Sequence, residues 1–576
     1  MTSTRTSRRC SASASRSTRR CSTPRCSRRS DPVTLPSSTS PRTDPVTTVA
    51  GPCGGGRRRP WVAAVATHRM SALALLGLLA IWEIIGRLPS SDGVFPAPTA
   101  IAAQAWRDRD LLLSNASLTL ENAALGFVYG NAAAVLLAVL FNLVPVLGRL
   151  SRGLLVTIYC LPLIVLAPII GVSFGGDTPK VVLASLAVVF PTYISTTIGL
   201  RSAQGIQQDV VRGMGGNRWT VLRKVQLRAC VPDLLAGMRV AAPAAVLGAM
   251  LGEFLGGSKG LGVLLVATMP QAFPERLWAV GLFATAIAAA CYGVLALIGR
   301  LVAARQQDPT VGVGAVPADE RVGGLPEPVW SALSVLVVLG AWIGYLWATD
   351  LPPTFAKGPD DVWRYLVDGP KAADHREMFL DALAVTLPRT ALGLVCGLAL
   401  AFGLAVVLSM SRALSSALLP VALVSQSMPL VALTPLLVIV LGRGDLTVLA
   451  ITTSVTFFPS FVTVAQGLRA TPRAATEVLD VYAASRWTVL WKVAAPGAIP
   501  HLVESARLAI PRALLGVILA EYLALGTGVG ELILQARGKL EFSLLWSVAA
   551  VVTLLSVLAY SAVGLVERFT RRRFGA

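Results

Sequence analysis

Charged residues and histidine are scarce in this sequence. Only 14% of its 576 residues are charged and 3 are histidine, whereas soluble globular domains carry about 25% charged residues. With 54% hydrophobic residues and a mean hydropathy of +0.65, the chain has the composition of a membrane protein. The shortage of charge argues against an ordinary soluble enzyme or binding domain.

Cysteine pairs and metal-ligand motifs are also missing. The 8 cysteines include no CxxC pair, and His68, His375 and His501 lie far apart, so no spacing typical of a metal site occurs. There is no GxxxxGK[ST] loop to cradle the phosphates of ATP. We therefore expect no metal site, no cofactor bound by this chain and no enzymatic activity of its own.

The net charge of +20 is concentrated at the chain ends and between apolar segments. Residues 1–60 consist largely of Arg, Ser, Thr and Pro, and we predict a disordered basic tail there, because such a segment cannot bury a core. Met70 opens directly into an apolar segment and is an alternative start. Basic residues beside apolar segments favour the lipid bilayer, and not nucleic acid, as their partner.

About twelve apolar segments are long enough to cross a bilayer, which takes about 20 residues per helix. They lie near 65–86, 119–143, 150–172, 179–200, 232–255 and 277–304, and near 330–348, 386–409, 413–441, 446–467, 500–522 and 544–567. Helices are expected because backbone polar groups in lipid must be satisfied within the segment. An even number of crossings and the basic termini predict that both ends lie in the cytoplasm.

The sequence repeats itself once. RWTVLRKV at 218–225 recurs as RWTVLWKV at 486–493, and the alignment that this match defines continues through the rest of each copy. Upstream, the alignment shifts by one position, so that Gly126 pairs with Gly393. We predict an all-α polytopic membrane protein of two parallel six-helix repeats. The predicted boundaries are a tail at 1–60, a first unit at 61–304, a cytoplasmic linker at 305–329, a second unit at 330–570 and a basic tail at 571–576.

Each repeat has a long polar loop after its fourth predicted helix. The loops read GIQQDVVRGMGGNRWTVLRKVQLRACVP (205–232) and ATEVLDVYAASRWTVLWKVAAPGAIP (475–500). Each contains a short helical stretch, a turn of small residues, a second amphipathic stretch with Trp and Lys, and a Pro that suits the first turn of the next helix. This pattern predicts a rigid cytoplasmic projection with an exposed aromatic side chain, able to transmit the movement of a partner.

These loops resemble the cytoplasmic EAA loop of binding-protein-dependent ABC importer permeases. Asp209 or Glu477 matches the acidic position of that pattern and Gly215 matches its Gly, whereas Ala483 stands where the family usually has Gly. The segments FPAP (95–98) and KVAAPGAIP (492–500) resemble the nitrate, sulfonate and taurine branch. The candidate ATPase-coupling residues are Asp209, Gly215, Arg218, Trp219, Lys224, Pro232, Glu477, Ala483, Arg486, Trp487, Lys492 and Pro500.

The resemblance implies a type I importer permease in the inner membrane, here with two units fused. It implies two separate ABC ATPase subunits, which hold ATP and Mg²⁺, and an extracytoplasmic solute-binding protein. The implied solute is small and anionic, similar to a sulfonate, nitrate or taurine.

Charged residues within the predicted spans are candidates for the transport pathway, since they are costly in a membrane. Arg389 is the best candidate for binding an anion, with an interfacial anchor as the alternative. Arg239 and Arg507 either line the cavity or reach the cytoplasmic headgroups. Glu253 and Glu521 either shape the external gate or hold the glycine-rich turn behind them.

Two other classes of protein fit parts of the pattern. A secondary transporter driven by an ion gradient can also have twelve helices in parallel repeats, but it usually carries carboxylates in mid-helix, and few are present here. A membrane enzyme would need a catalytic constellation, and none is recognisable in this sequence.

Overall fold

The computed structural model describes residues 76–77, 79–88, 95–203, 205–269, 273–303, 327–410, 428–470 and 473–574. The predicted tail at 1–60, most of the linker, the start of the first span and residues 411–427 lie outside the described residues. Within the described ranges, nine helices are long and apolar enough to cross a membrane. The fold is all-α, as the sequence predicted.

The two repeats give two matching series of helices. The first comprises α1 (79–86), α2 (Pro98–Arg107), α3 (Arg109–Leu143), α4 (Pro145–Leu150), α5 (Arg152–Cys160), α6 (Leu163–Ser173), α7 (Thr178–Arg201), α8 (Gly205–Gly213), α9 (Arg218–Val221), α10 (Leu227–Gly256), α11 (Leu261–Thr268) and α12 (Pro274–Ala303). The second comprises α13 (Glu327–Thr349), α14 (Pro359–Trp363), α15 (Ala372–Met410), α16 (Leu430–Leu441), α17 (Asp445–Arg469), α18 (Arg473–Val481), α19 (Arg486–Val489), α20 (Ala495–Ala520), α21 (Gly528–Gly538) and α22 (Phe542–Phe574).

The third predicted span of the first half is not one straight helix. α5 and α6 meet at a bend of 97°, where Leu161 is extended, with ψ of 122°. Leu161 precedes Pro162, and a residue before proline is disfavoured in the helical conformation. Pro429 occupies the position of Pro162 in the second half and is also extended, with ψ of 128°, so the same proline directly precedes α6 and α16.

The predicted boundaries also shift at the end of the chain. The last helix continues to Phe574, past residue 570, where the sequence predicted that a basic tail begins. Arg571 is held in the helix because its Nη2 lies 2.8 Å from Glu504 Oε2 and its Nε lies 3.0 Å from Glu567 Oε1. Residues 571–574 of the predicted tail therefore extend the membrane helix.

Small residues bring α3 and α7 together in the first half and α15 and α17 together in the second. A Cβ atom on Gly130 of α3 would lie 2.7 Å from the Ser185 carbonyl oxygen of α7, and one on Gly393 of α15 would lie 2.5 Å from Thr452 Cβ of α17. Real Cβ atoms do not approach this closely, so these glycines permit direct backbone contact between the helices. The GxxxG motifs are packing motifs in both halves.

The helix that follows this proline in each half, α6 or α16, packs against the other half. α6 packs in one hydrophobic core with residues of the second half such as Val517, Ile533 and Val548. In the reciprocal arrangement, Ala432 and Leu436 of α16 pack with Met250 and Leu277 of the first half. Each repeat therefore contributes one helix to a hydrophobic core that it shares with the other repeat.

Candidate functional site

Each half carries a short helix–turn–helix projection, which we call elbow 1 (residues 205–226) and elbow 2 (residues 473–494). The turn of elbow 1 has Gly215 in the left-handed region, with φ of 82°. The turn of elbow 2 has Ala483 at the same position, with φ of 49°. A bond from Gly216 N to Val211 O closes the first turn at 2.9 Å, and one from Ala484 N to Leu479 O closes the second at 3.0 Å. The missing glycine therefore leaves the shape of the turn unchanged.

The second stretch of each elbow is capped and continuous with a membrane helix. Asn217 Oδ1 accepts a hydrogen bond from Thr220 N at 2.9 Å, and Ser485 Oγ accepts one from Thr488 N at 3.2 Å. Such caps satisfy backbone donors at the start of a helix. A π-helical turn, Leu222–Gln226 or Leu490–Ala494, then joins the stretch directly to α10 or α20. Each elbow is thus a stiff extension of its membrane helix.

This continuity corrects one expectation about the prolines. The sequence placed Pro232 and Pro500 in the first turn of the next helix, but both lie inside helices that have already begun, at Leu227 and Ala495. The expectation was wrong because the π-helical turn carries the helix through the predicted break. Prolines are tolerated within membrane helices when neighbouring groups satisfy the freed backbone.

The elbows expose matching anchors. Trp219 is 56% exposed and Trp487 is 53% exposed, while Met214 and Tyr482, which occupy the same position beside the turn, are 84% and 79% exposed. The charged candidates of the elbows are exposed as well: Asp209, Arg218, Lys224, Glu477, Arg486 and Lys492. Within elbow 1, Asp209 Oδ1 lies 3.4 Å from Arg212 Nη1.

At the opposite end of α10 and α20, which we call the far end, each half has a buried carboxylate in a cluster that we call a latch. In latch 1, Glu253 is 1% exposed. Its Oε2 accepts hydrogen bonds from Thr119 Oγ1 at 2.9 Å and from Gly262 N at 3.0 Å. Thr119 Oγ1 in turn accepts from Leu261 N at 2.9 Å. The carboxylate thereby joins α3, α10 and the turn before α11.

Latch 2 repeats the hydrogen bonds at Oε2 and at the threonine hydroxyl. Glu521 is 0% exposed, and its Oε2 accepts from Thr386 Oγ1 at 2.8 Å and from Gly530 N at 3.2 Å. Thr386 Oγ1 accepts from Val529 N at 3.0 Å. Of the two interpretations of these acids, the geometry corresponds to the one in which they hold the glycine-rich turn.

Glycine is required in the latch turns for two reasons. Gly260 has φ of 124° and Gly528 has φ of 70°, values in a region that side chains other than glycine rarely adopt. A Cβ atom at either position would also lie 2.5 Å from Oε1 of the latch glutamate. The turn and the acid therefore depend on each other.

Arg389 belongs to latch 2. Its Nη1 lies 3.2 Å from Glu521 Oε1 and its Nη2 lies 2.6 Å from Asp445 Oδ1. Its Nη1 also donates to Thr527 Oγ1 at 3.0 Å. The side chain is 20% exposed, so the guanidinium is held between two carboxylates.

Arg239 and Arg507 occupy equivalent places near the elbow end of α10 and α20, each over a tyrosine ring. The guanidinium carbon lies 5.5 Å from the ring centre of Tyr292 in the first half and 4.2 Å from that of Tyr560 in the second. Such cation–π contacts are favourable where the cation is partly desolvated. Arg507 additionally lies 3.0 Å from Glu567 Oε2, within an ion network that includes Glu504 and Arg571.

The sequence interpretation missed several residues of these sites. Thr119 and Thr386 were recognisable as matching positions, and so were Tyr292 and Tyr560, which pair in the alignment of the two repeats. A polar side chain at matching positions of both repeats was the sequence signal that could have identified these site residues. Glu567 gave no such signal, because Gly299 occupies its place in the first half.

Comparison with known proteins shows a match to one transport family in each half. The family model of the binding-protein-dependent transport system inner membrane component matches twice, at residues 130–308 and 393–572. A probable ABC transporter permease protein from Haemophilus influenzae is 29% identical over 39% of this chain and 92% of its own length. No solved structure shows significant similarity to this chain.

Two further relatives have named solutes. A formylaminopyrimidine transport permease protein from Halalkalibacterium halodurans is 30% identical over 34% of this chain and 80% of its own length. A putative aliphatic sulfonates transport permease protein from Bacillus subtilis is 28% identical over 33% of this chain and 70% of its own length. Each relative thus corresponds in length to about one half of this chain.

Proposed function

We propose that this chain, which belongs to the family of binding-protein-dependent transport system inner membrane components, is driven through its two elbows by two ATPase subunits. The chain is a multi-pass inner-membrane permease of the ABC importer class, with two permease units in one polypeptide. Family membership also disfavours the alternative of a transporter driven by an ion gradient.

The main support for this proposal is that both elbows present the same exposed anchors on stiff extensions of membrane helices. Trp219 and Trp487 are each more than half exposed, and large aromatic side chains of this kind are common anchors of protein interfaces. Movement of a partner bound to an elbow would pass through the π-helical turn into α10 or α20. Movement of both elbows together would then shift the two halves against each other, a transition between two rigid-body states.

The proposed orientation places the elbows and both chain termini in the cytoplasm. Arg218, Arg223 and Lys224 in elbow 1 and Arg571–Arg573 at the end of α22 support this orientation through the positive-inside rule. The far end, with its two latches, then faces an extracytoplasmic solute-binding protein.

The proposed solute is small and anionic, similar to an aliphatic sulfonate, and it passes between the two halves. The support comes from the relatives and not from Arg389, because two carboxylates already bind its guanidinium. The formylaminopyrimidine relative favours a second candidate, a small nitrogen heterocycle. Binding of both solute classes to the partner binding protein, measured by calorimetry, separates the two candidates.

Charge reversal in the elbows tests the coupling. In the complex reconstituted with its ATPase and binding protein, Arg218→Glu and Arg486→Glu together should abolish solute-stimulated ATP hydrolysis while membrane insertion stays normal. Arg109→Glu, at an exposed position at the far end, is the matched control and should retain stimulation. Unchanged stimulation in the elbow variant, or uptake driven by a proton gradient without ATP, would contradict the proposal.

A further inference from the structure

The two latches contain the same acids but take their positive charge from different helices. Arg389 of α15 occupies the position of Asn122 in the first half, in the alignment that pairs Gly393 with Gly126. Val448 of α17 occupies the position of Lys180, in the alignment that the elbows define. Each half therefore has one cation in this pair of positions, and the cation lies on α15 in one half and on α7 in the other.

The acidic partners, in contrast, are shared by both halves. Asp177 and Asp445 are equivalent residues next to or at the start of α7 and α17, and Glu253 and Glu521 are the equivalent latch acids. Both glutamates are at most 1% exposed. Placing a carboxylate in such surroundings is costly unless a cation accompanies it, so a latch that keeps its acids needs a cation nearby.

In the second half, Arg389 meets both acids directly, at 3.2 Å from Glu521 and 2.6 Å from Asp445. Val448, at the position equivalent to Lys180, is 1% exposed and carries no charge. The arginine thus ties α15 to α17 and to the end of α20.

In the first half, Lys180 takes this place. It is 6% exposed, and its Nζ binds Asp177. A Cβ atom on Gly252 would lie 2.9 Å from Lys180 Cα, so the lysine backbone packs directly against Gly252, the residue before the latch acid. Asn122, at the position of Arg389, is 7% exposed and uncharged.

We propose that Lys180 and Arg389 are equivalent positioning residues, each neutralising the latch of its own half, and that Arg389 does not bind the transported solute. The cation has moved between two adjacent helices while the acids have stayed in place. In the second half the cation joins α15 to α17 and to the end of α20 directly, whereas in the first half Lys180 pairs with Asp177 at the start of its own helix and packs beside α10.

Grafting the cation from one location to the other tests this proposal. Arg389→Asn in the full chain should lower the thermal unfolding midpoint by several degrees and reduce the maximal uptake rate about tenfold, equivalent to ~1.4 kcal/mol in the barrier. Adding Val448→Lys should restore both quantities. If Arg389 bound the solute, the added lysine would restore the unfolding midpoint but leave the KM for uptake raised, and the proposal would be overturned.

The reverse graft provides an independent test in the first half. Lys180→Val should destabilise the chain, and adding Asn122→Arg should restore it. Failure of both grafts to raise the unfolding midpoint above that of the single variants would also overturn the proposal. The uptake measurements rest on the proposed function, whereas the unfolding midpoint does not depend on transport. The unfolding midpoint therefore tests this inference even if the proposed function is wrong.

Discussion

The two halves agree in how their helices pack and differ in where their charges lie. The two latch glutamates accept the same pair of hydrogen bonds at Oε2, and the glycines of α3 and α15 that contact α7 and α17 lie at matching positions. The second half has an additional ion network of Glu504, Arg507, Glu567 and Arg571 near its elbow, where the first half has Ala236 and Gly299 at the positions of the two acids. After duplication, backbone contacts tolerated little change, whereas charges could move if a partner remained within reach.

The largest expected effect concerns the latch acids themselves. Glu521→Ala should destabilise the chain by about 3–5 kcal/mol, because it leaves Arg389, the Thr386 hydroxyl and the Gly530 N–H without their buried acceptor. Glu253→Ala should cost less, since the ion pair of Lys180 is with Asp177, whereas Arg389 pairs directly with Glu521. Thermal unfolding of both variants in the same detergent shows which variant loses more stability. Equal losses of stability would contradict the expected difference between Arg389 and Lys180.

A smaller effect is expected at the helix contacts that the halves share. Gly397→Ala should destabilise the chain by about 1–3 kcal/mol, the usual range for overpacking, because a Cβ atom there would lie 2.9 Å from Thr456 Cβ. Gly403→Ala is the matched control on the same helix, since a Cβ atom at that position would have no neighbouring atom within 4 Å. Equal unfolding midpoints for the two variants would refute a close contact at Gly397.

The smallest effect is expected at the elbow turns. Ala483→Gly should stabilise elbow 2 by about 1 kcal/mol, because a left-handed alanine costs roughly 1–2 kcal/mol and part of this gain is lost to the greater freedom of unfolded glycine. Gly215→Ala should destabilise elbow 1 by a similar amount. Hydrogen exchange of the elbow amides measures both changes, and slower exchange in Gly215→Ala would contradict the shared turn geometry.

Much of the fold was predictable from periodicity and repetition. Long apolar segments predict helices wherever lipid leaves the backbone no other partner, and the helices α7, α10, α17 and α20 overlap the predicted segments closely. The break at Pro162 was missed because apolar length by itself does not reveal a bend. The continuity through Pro232 was missed because a π-helical turn leaves no recognisable sequence pattern.

The sites were predictable in part. The exposed tryptophans of the elbows followed from an amphipathic pattern placed between basic residues. The role of Arg389 did not follow, because its two acidic partners, Asp445 and Glu521, are remote from it in sequence and only folding brings them to it.

By itself, the sequence determined the membrane class, the duplication and the location of the elbows, because hydropathy and internal repetition are properties of the chain read in order. Only the tertiary structure decided which charges are bound and which are available. Ion pairs and buried carboxylates depend on distances of a few ångströms between helices that are remote in sequence, and packing alone sets those distances.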